Sequence, residues 1–227
     1  MDFSRLEEII DHQFKEKTIL TEAVTHRSYL NEHPDWGVPH NERLEFLGDA
    51  VLELIVTEEL FRRFPERPEG ELTSLRAALV NYQMLALIAR DIGLEDFIFL
   101  SRGEARDIGR AREVILANAI EAVIGALYLD GGFSAVQMFV RRRVITRLDE
   151  VLKNNLYRDA KSMLQERVQR DERLTPHYQV LKEDGPDHAK VFTAGVYFGE
   201  KFIAEGTGRS KHEAELRAAE VALEKLA

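Results

Sequence analysis

The feature that most constrains the fold is an apolar segment, residues 114–127, whose only polar side chains are Asn118 and Glu121. At about 100° per residue, its apolar side chains cover the whole circumference of a helix, which is typical of a helix buried on most sides. Even when extended to Leu129, the segment has 16 residues and is too short and too polar inside for a membrane span. We therefore predict a central core helix that ends at residues 130–132, and no membrane partner.

The two polar residues of this helix are three positions apart and share one face. A buried carboxylate without a partner costs several kcal/mol or takes up a proton. A cationic side chain such as Arg112 or Arg76, a hydrogen-bond network or a metal ion could satisfy Glu121. The segment itself leaves these three possibilities open.

A second helical segment, residues 41–64, carries an acidic stripe near its start. Glu42, Glu45 and Asp49 fall within about 60° of one another, and apolar side chains lie roughly opposite. The ordinary interpretation is a solvated acidic face, because like charges at this spacing repel one another only weakly in water.

A metal site is the sharper interpretation of the acidic stripe. If the two helices pack together, the stripe meets Asn118 and Glu121 and forms a cluster that offers only oxygen ligands. Hard cations, above all Mg²⁺, prefer such ligands, and Mn²⁺ can substitute. Bound ions of this kind activate water and stabilise the leaving oxygen of a phosphodiester.

Charge and composition exclude several classes of site. The net charge of −9 argues against nucleic acid, but residues 1–157 carry −8 of it and residues 158–227 only −1. Metal ions can bridge acidic residues to phosphates, so the first part remains compatible with nucleic acid. The absence of Cys excludes thiolate metal sites. We find no phosphate-binding glycine motif and therefore expect no nucleotide cofactor. We also find no signal sequence and therefore expect a cytoplasmic protein.

The hydrophobic pattern divides the chain into two domains joined by a linker at residues 153–157. Residues 1–152 are predicted to be all-helical, with one helix running from an N-cap at Thr73 to about Arg90. Residues 158–227 have the order α-β-β-β-α: a helix at 160–170, strands at 177–183, 189–198 and 201–206, and a helix at 210–226. The predicted fold class is a mainly α domain followed by a small α+β domain.

The segment Asn41-Glu-Arg-Leu-Glu-Phe-Leu-Gly-Asp49 resembles the signature of bacterial ribonuclease III, an Mg²⁺-dependent endonuclease for double-stranded RNA. Residues 25–28, 103–104 and 121–130 also resemble the family, in the same order. Residues 158–227 resemble a double-stranded-RNA-binding domain. The resemblance implies a helical endonuclease domain that forms a homodimer and leaves 5′-phosphate and 3′-hydroxyl ends on its products, in the processing and decay of rRNA and mRNA precursors. It assigns catalytic roles to Glu42, Asp49 and Glu121 and metal ligation to Glu45, Asp49, Asn118 and Glu121.

Two residues bear on how far the resemblance extends. Phe46 lies beside the acidic stripe and away from its own core, an unusual place for Phe in a monomer, and in the family this residue inserts into the partner subunit. Asn118 departs from the family, which usually has Asp there. It could be a natural variant whose carbonyl oxygen or bound water suffices, an engineered change, or the mark of weak activity. The alternative function is therefore a catalytically weakened protein that binds double-stranded RNA.

The C-terminal domain offers three candidate contacts to RNA, whose A-form helix is recognised by shape and backbone. Gln165 and Glu166 would meet one minor groove from the first helix of the domain, and the loop with Pro186 and His188 would enter the next. The last helix begins at Ser210, where free N–H groups favour phosphate. We expect RNA contacts there from Ser210, Lys211 and His212. The ordinary interpretations are a solvated helix face and a simple N-cap.

Overall fold

The computed structural model describes residues 2–106, 108–157, 160–186 and 190–226. The chain divides into two compact units, Met1–Tyr157 and Arg158–Ala227. The predicted linker, residues 153–157, falls at the end of the first unit, and its role as a linker stays a prediction. His188 lies outside the described residues.

The described part of the first unit is helical, as predicted. Its only β-type pairing there is an isolated bridge between Thr25 and Phe99. Short 3₁₀ turns occur at Leu94–Phe97, Glu104–Arg106 and Ile145–Arg147. The helices are α1 (Ser4–Ile10), α2 (Lys17–Ala23), α3 (Arg27–Glu32), α4 (Glu42–Arg63), α5 (Glu69–Val80), α6 (Tyr82–Asp91), α7 (Arg110–Arg143) and α8 (Leu148–Lys153).

Helix α7 is the central helix that the apolar segment predicts. Its residues between 115 and 127 are buried except at Asn118 and Glu121, and α4 packs along it. The predicted helix end at residues 130–132 coincides with a break in the helical backbone of α7. Gly132 takes a non-helical backbone (φ 75°, ψ −178°), and the chain then resumes as a helix to Arg143.

One predicted helix is in fact two. The helix expected from Thr73 to about Arg90 begins earlier, at Glu69, and breaks at Asn81, whose backbone is extended (ψ 159°). The Asn81 side chain accepts a 2.9 Å hydrogen bond from the Met84 N–H and so caps α6. Helices α5 and α6 meet at an angle of 43°. Thr73 lies inside α5, where its hydroxyl donates to Glu69.

Within the described residues, the stretch Arg110–Lys153 has the length and apolar composition of a membrane span. Most of its apolar window is buried inside the first unit, as expected for the core helix of a protein that folds around it. Length and composition are therefore weak evidence for a span in this chain.

The second unit has the predicted order α-β-β-β-α. Its elements are α9 (Ala160–Glu172), β1 (Pro176–Asp184), β2 (Val191–Phe198), β3 (Lys201–Gly208) and α10 (Lys211–Lys225). The strands form an antiparallel sheet in the order β1-β2-β3. Both helices pack on one face of this sheet, and a Cβ at Gly206 would stand only 2.2 Å from the backbone nitrogen of Ala218. This close contact fixes α10 against β3.

Candidate functional site

The site is built at the crossing of α4 and α7, where two glycines bring the backbones into contact. A Cβ at Gly48 would stand 1.8 Å from the carbonyl oxygen of Glu121, and a Cβ at Gly125 would stand 2.2 Å from that of Leu44. No larger residue fits either position without separating the helices. The crossing therefore sets the acidic stripe of α4 against the polar face of α7. The role of these two glycines was not predicted from the sequence, although a glycine in the middle of each segment was an available signal.

Glu121 carries the electrostatic signature of this arrangement. Its side chain is half-buried, and its pKa is raised to about 8, first by burial and then by the negative charges of Asp49, Glu45 and Glu53. The predicted proximity of Glu121 to the acidic stripe is therefore present. Glu53, which lies one turn beyond Asp49 on α4, is an acidic neighbour that the sequence analysis did not single out.

The pKa of Glu45 is also raised, but less than that of Glu121. Burial raises its pKa, and the charges of Glu42 and Asp49 raise it further. A hydrogen bond from the Asn118 side chain acts in the opposite direction and stabilises the charged form. Asn118 is thus placed beside the α4 acids, as the helical spacing predicts.

Neither arginine that could have neutralised Glu121 does so. Arg112 bonds Glu95 through its Nε, at 2.9 Å from Oε1, and Arg76 donates to the Thr57 hydroxyl at 3.0 Å. The pKa of Glu121 is raised first by burial and then by the neighbouring carboxylates, and no cation is among the causes. A structural ion pair with either arginine is therefore excluded as the explanation for this buried acid.

The side chains at the crossing offer the ligand atoms that a hard divalent cation prefers, but they are not arranged closely enough to surround one. Within the described ranges, no three His, Cys, Asp or Glu side chains are gathered tightly enough to hold a metal ion. The acids that would have to converge repel one another, which favours an open arrangement until a cation offsets their charge. Every donor at the crossing is an oxygen, the ligand type that Mg²⁺ and Mn²⁺ accept. These donors are Glu45, Asp49, Asn118 and Glu121.

Glu42 differs from the inner acids in its neighbours. It is exposed, and its carboxylate lies 3.4 Å from Nη1 of Arg27 and 3.8 Å from Nδ1 of His40. Because it has basic neighbours where Glu121 has acidic ones, Glu42 faces a different environment at the edge of the crossing.

Residues 25–28 connect this edge to the loop that follows Phe99. The Asn41 N–H, at the start of α4, donates to the Thr25 carbonyl at 2.9 Å, and the Ser101 N–H donates to the Ser28 hydroxyl at 3.1 Å. The Ser28 hydroxyl also lies 2.8 Å from Nδ1 of His26. Burial lowers the pKa of His26, which is therefore neutral at pH 7 and has a structural place in this connection.

Phe46 is 81% exposed, as its position on α4 predicts. Leu54 and Phe61 extend the same face of the helix and are 57% and 70% exposed. An open groove of about 680 Å³ adjoins Phe46 and is lined in part by Ile19 and Leu129. Exposed apolar patches of this kind mark contact surfaces for other proteins.

The predicted RNA contacts in the second unit are exposed side chains at three places. Gln165 and Glu166 lie on α9, Pro186 follows β1, and Lys211 and His212 open α10. The Ser210 hydroxyl accepts a 3.1 Å hydrogen bond from the Glu213 N–H and caps α10, so its ordinary N-cap role is present.

Two of the three places are adjacent. Nζ of Lys211 lies 3.0 Å from Oε1 of Glu183, which joins the end of β1, just before Pro186, to the start of α10. Helix α9 is tied to α10 by a 2.7 Å ion pair between Lys161 and Glu215. The prediction for His188 falls outside the described residues.

The comparisons with known proteins cover both units. Residues 16–148 match the family model described as Ribonuclease-III-like, and residues 160–226 match the double-stranded RNA binding motif. Ribonuclease 3 of Carboxydothermus hydrogenoformans is 48% identical over 221 residues, which cover 97% of this chain and 94% of that protein. Ribonuclease 3 of Borreliella burgdorferi is 46% identical over 220 residues, which cover 97% of this chain and 89% of that protein.

Solved structures agree with the sequence relatives. A nuclease domain of ribonuclease III from Campylobacter jejuni, solved in a study of the region involved in dimer formation, is 41% identical. It superposes with a TM-score of 0.58 and covers 64% of this chain and 97% of the solved domain. The two family models, the relatives along nearly the full chain and the acidic crossing of α4 and α7 lead to one assignment: the chain belongs to the ribonuclease III family of double-stranded-RNA endoribonucleases.

Proposed function

We propose that the chain hydrolyses phosphodiester bonds of double-stranded RNA with Mg²⁺, for which Mn²⁺ can substitute, and leaves 5′-phosphate and 3′-hydroxyl ends. The observation that carries this proposal is a set of carboxylates at the Gly48–Gly125 crossing that have no cationic partner among the described residues: Glu45, Asp49 and Glu121. Structural roles alone do not account for such a set, because each added carboxylate raises the cost of burying the others.

Glu45, Asp49, Glu121 and the carbonyl oxygen of Asn118 are the proposed metal ligands. Bound Mg²⁺ supplies an activated water and charge stabilisation for the leaving oxygen. In the reaction the water oxygen bonds to phosphorus, the bond from phosphorus to the 3′ oxygen breaks, and that oxygen takes a proton. Asp49 and Glu121 are the proposed catalytic residues of the inner set. Glu42, beside Arg27 and His40, is the proposed catalytic residue on the substrate side.

RNA binding is proposed to use shape recognition by the second unit. Gln165 and Glu166 would contact 2′-hydroxyls in one minor groove, and Pro186 and His188 would enter the next. Ser210, Lys211 and His212 would contact phosphates at the start of α10, where the helix dipole favours negative charge. The exposure of the described members of this set and the adjacency of Lys211 to the end of β1 support the proposal.

The active form is proposed to be a homodimer in which Phe46 of each protomer inserts into the groove of the other. The exposure of Phe46 and the neighbouring groove support this arrangement. The proposed setting is the cytoplasm, with precursors of rRNA and mRNA as substrates. No nucleotide cofactor is needed for this chemistry, because water is the nucleophile.

A duplex-cleavage assay tests the proposed activity. The wild-type chain should cut a 5′-labelled RNA duplex in Mg²⁺ or Mn²⁺ and leave it intact in EDTA. A ligase that requires a free 3′-hydroxyl should join the 3′ ends of the products. Glu121→Gln should abolish cleavage and retain binding. Glu150→Gln, the same change at an exposed acid on α8, should cut normally. A duplex that is bound but stays intact in both metals would instead identify a catalytically weakened RNA-binding protein.

A further inference from the structure

Glu183, near the end of β1, lies against two lysines of the second unit. Its Oε1 is 3.0 Å from Nζ of Lys211 and its Oε2 is 3.6 Å from Nζ of Lys190. The Lys211 ammonium also lies 5.6 Å from the centre of the Phe192 ring. The first basic residue of α10 is therefore held between a carboxylate and an aromatic face rather than free in solvent.

The pair is intact at neutral pH. The hydrogen bond from Lys211 is the main reason that the pKa of Glu183 lies below its ordinary value, so the carboxylate is fully ionised under the conditions in which RNA binds. The pair is also accessible, with 59% of the Lys211 side chain and 38% of the Glu183 side chain exposed. A phosphate can therefore reach Lys211, but it meets the carboxylate there.

We propose that Glu183 limits the affinity of this chain for double-stranded RNA by competing with phosphate for Lys211. The inference rests on the proposed contact between Lys211 and RNA. A phosphate that pairs with Lys211 must displace the Glu183 carboxylate and then lies beside its negative charge. Since phosphate contacts carry no base information, Glu183 lowers the affinity for every duplex sequence alike. It is a residue that sets affinity, and it takes no part in the chemistry of cleavage.

The neighbouring pairs have a different character. Lys161 and Glu215 are both half-buried where α9 meets α10, so their pair is a cross-link between the helices. Lys182 is paired with Asp184 on its own strand. The Glu183–Lys211 pair differs from both because it joins the strand that leads into the predicted RNA-binding loop to the helix N-terminus predicted to bind phosphate.

The test is RNA binding by the full chain in EDTA, which prevents cleavage, with a duplex longer than the roughly 16 base pairs that one such domain spans. Glu183→Gln should bind about two- to fivefold tighter at low salt, the range expected for an exposed ion pair. The gain should shrink as salt rises, because salt screens the interactions of exposed charges. Glu200→Gln, in the turn at the opposite end of the sheet, should leave the affinity unchanged.

The Lys211→Gln background separates the possible causes. If Glu183 acts by holding Lys211, the gain from Glu183→Gln should fall by more than half when Lys211 is already Gln. An equal gain in both backgrounds would mean that Glu183 acts on RNA binding independently of Lys211 and would overturn the inference, as would no gain or a loss of affinity in the single variant. If Lys211→Gln alone does not weaken binding, the proposed RNA contact fails as well. If it does weaken binding, only the role of Glu183 is at stake.

Discussion

Gly48 and Glu121 belong to different helices, yet a Cβ on Gly48 would stand 1.8 Å from the carbonyl oxygen of Glu121. That distance is far shorter than any non-bonded contact between a carbon and an oxygen. The backbone of α7 therefore lies directly on that of α4 at the position where both carry their acidic side chains. The position of the candidate site depends on a residue that has no side chain.

Gly48→Ala should therefore be strongly disruptive. The added methyl group meets backbone, which cannot move aside without separating the two central helices, so the free energy of unfolding should fall by about 2 kcal/mol or more. Denaturant unfolding monitored by circular dichroism measures this loss. Gly70→Ala is the matched control, because a Cβ on Gly70, within α5, meets nothing within 4 Å. Its stability should stay equal or rise slightly. Equal stability of both variants would contradict the close crossing.

The periodicity of the sequence was sufficient to predict the two helices and the faces that meet. An apolar segment interrupted only at Asn118 and Glu121 had to be a core helix with one polar face. The way the helices cross was not predictable, since it depends on contact between backbones that are far apart in sequence. Nor could the sequence predict that Arg112 and Arg76 leave Glu121 unpaired, because their actual partners are seen only in the structure.

The errors in the helical part have local causes. Asn81 was expected inside a helix, but its side chain caps α6 and its backbone turns extended, an alternative that Asn favours over continuing a helix. The glycine signals were correct, because Gly132 interrupts the helical backbone of α7 at the predicted end of the helix. In the second unit, the glycine-containing turns likewise separate the strands. The Glu183–Lys211 pair was not predictable, since it depends on how α10 packs against the sheet.

The stability of the metal-free chain should fall with rising pH in a way that depends on Glu121. Its pKa is about 8 in the folded protein against an ordinary value of 4.5, so the folded state holds this proton more tightly than the unfolded state does. The stability from the bound proton is complete below pH 4.5 and is lost as the pH rises through 8. Glu121→Gln cannot lose a proton there. In EDTA its melting temperature should exceed that of the wild type by a margin that grows from pH 5 to pH 8.5. A constant margin would contradict the raised pKa.

Asn118→Asp should reduce the Mg²⁺ concentration that cleavage requires. The change adds a full negative charge next to Glu45 and removes the amide donor, so the cluster gains attraction for a divalent cation. The half-saturating Mg²⁺ concentration in a duplex-cleavage titration should fall severalfold. Gln137→Glu is the control, since Gln137 also lies on α7 and its amide donates to an acid of α4, Glu58, outside the cluster. A similar Mg²⁺ response in both variants would mean that Asn118 has no special relation to the ion.

Phe46→Ala should weaken the proposed dimer without unfolding the protomer. The side chain is 81% exposed in the single chain, so its removal should change the free energy of unfolding little. Its burial in a partner's groove would stabilise the dimer by about 1.5–3 kcal/mol. Light scattering coupled to size-exclusion chromatography should show the wild type at twice the protomer mass and the variant shifting to the monomer on dilution, with an unchanged circular dichroism spectrum. Ile108→Ala is the control, because Ile108 is 88% exposed but lies in the loop before α7 and not on α4. It should leave the mass unchanged. If Phe46→Ala stays dimeric at every concentration at which the wild type does, Phe46 does not stabilise the dimer. Leu54 and Phe61, on the same face of α4, then become the residues to test.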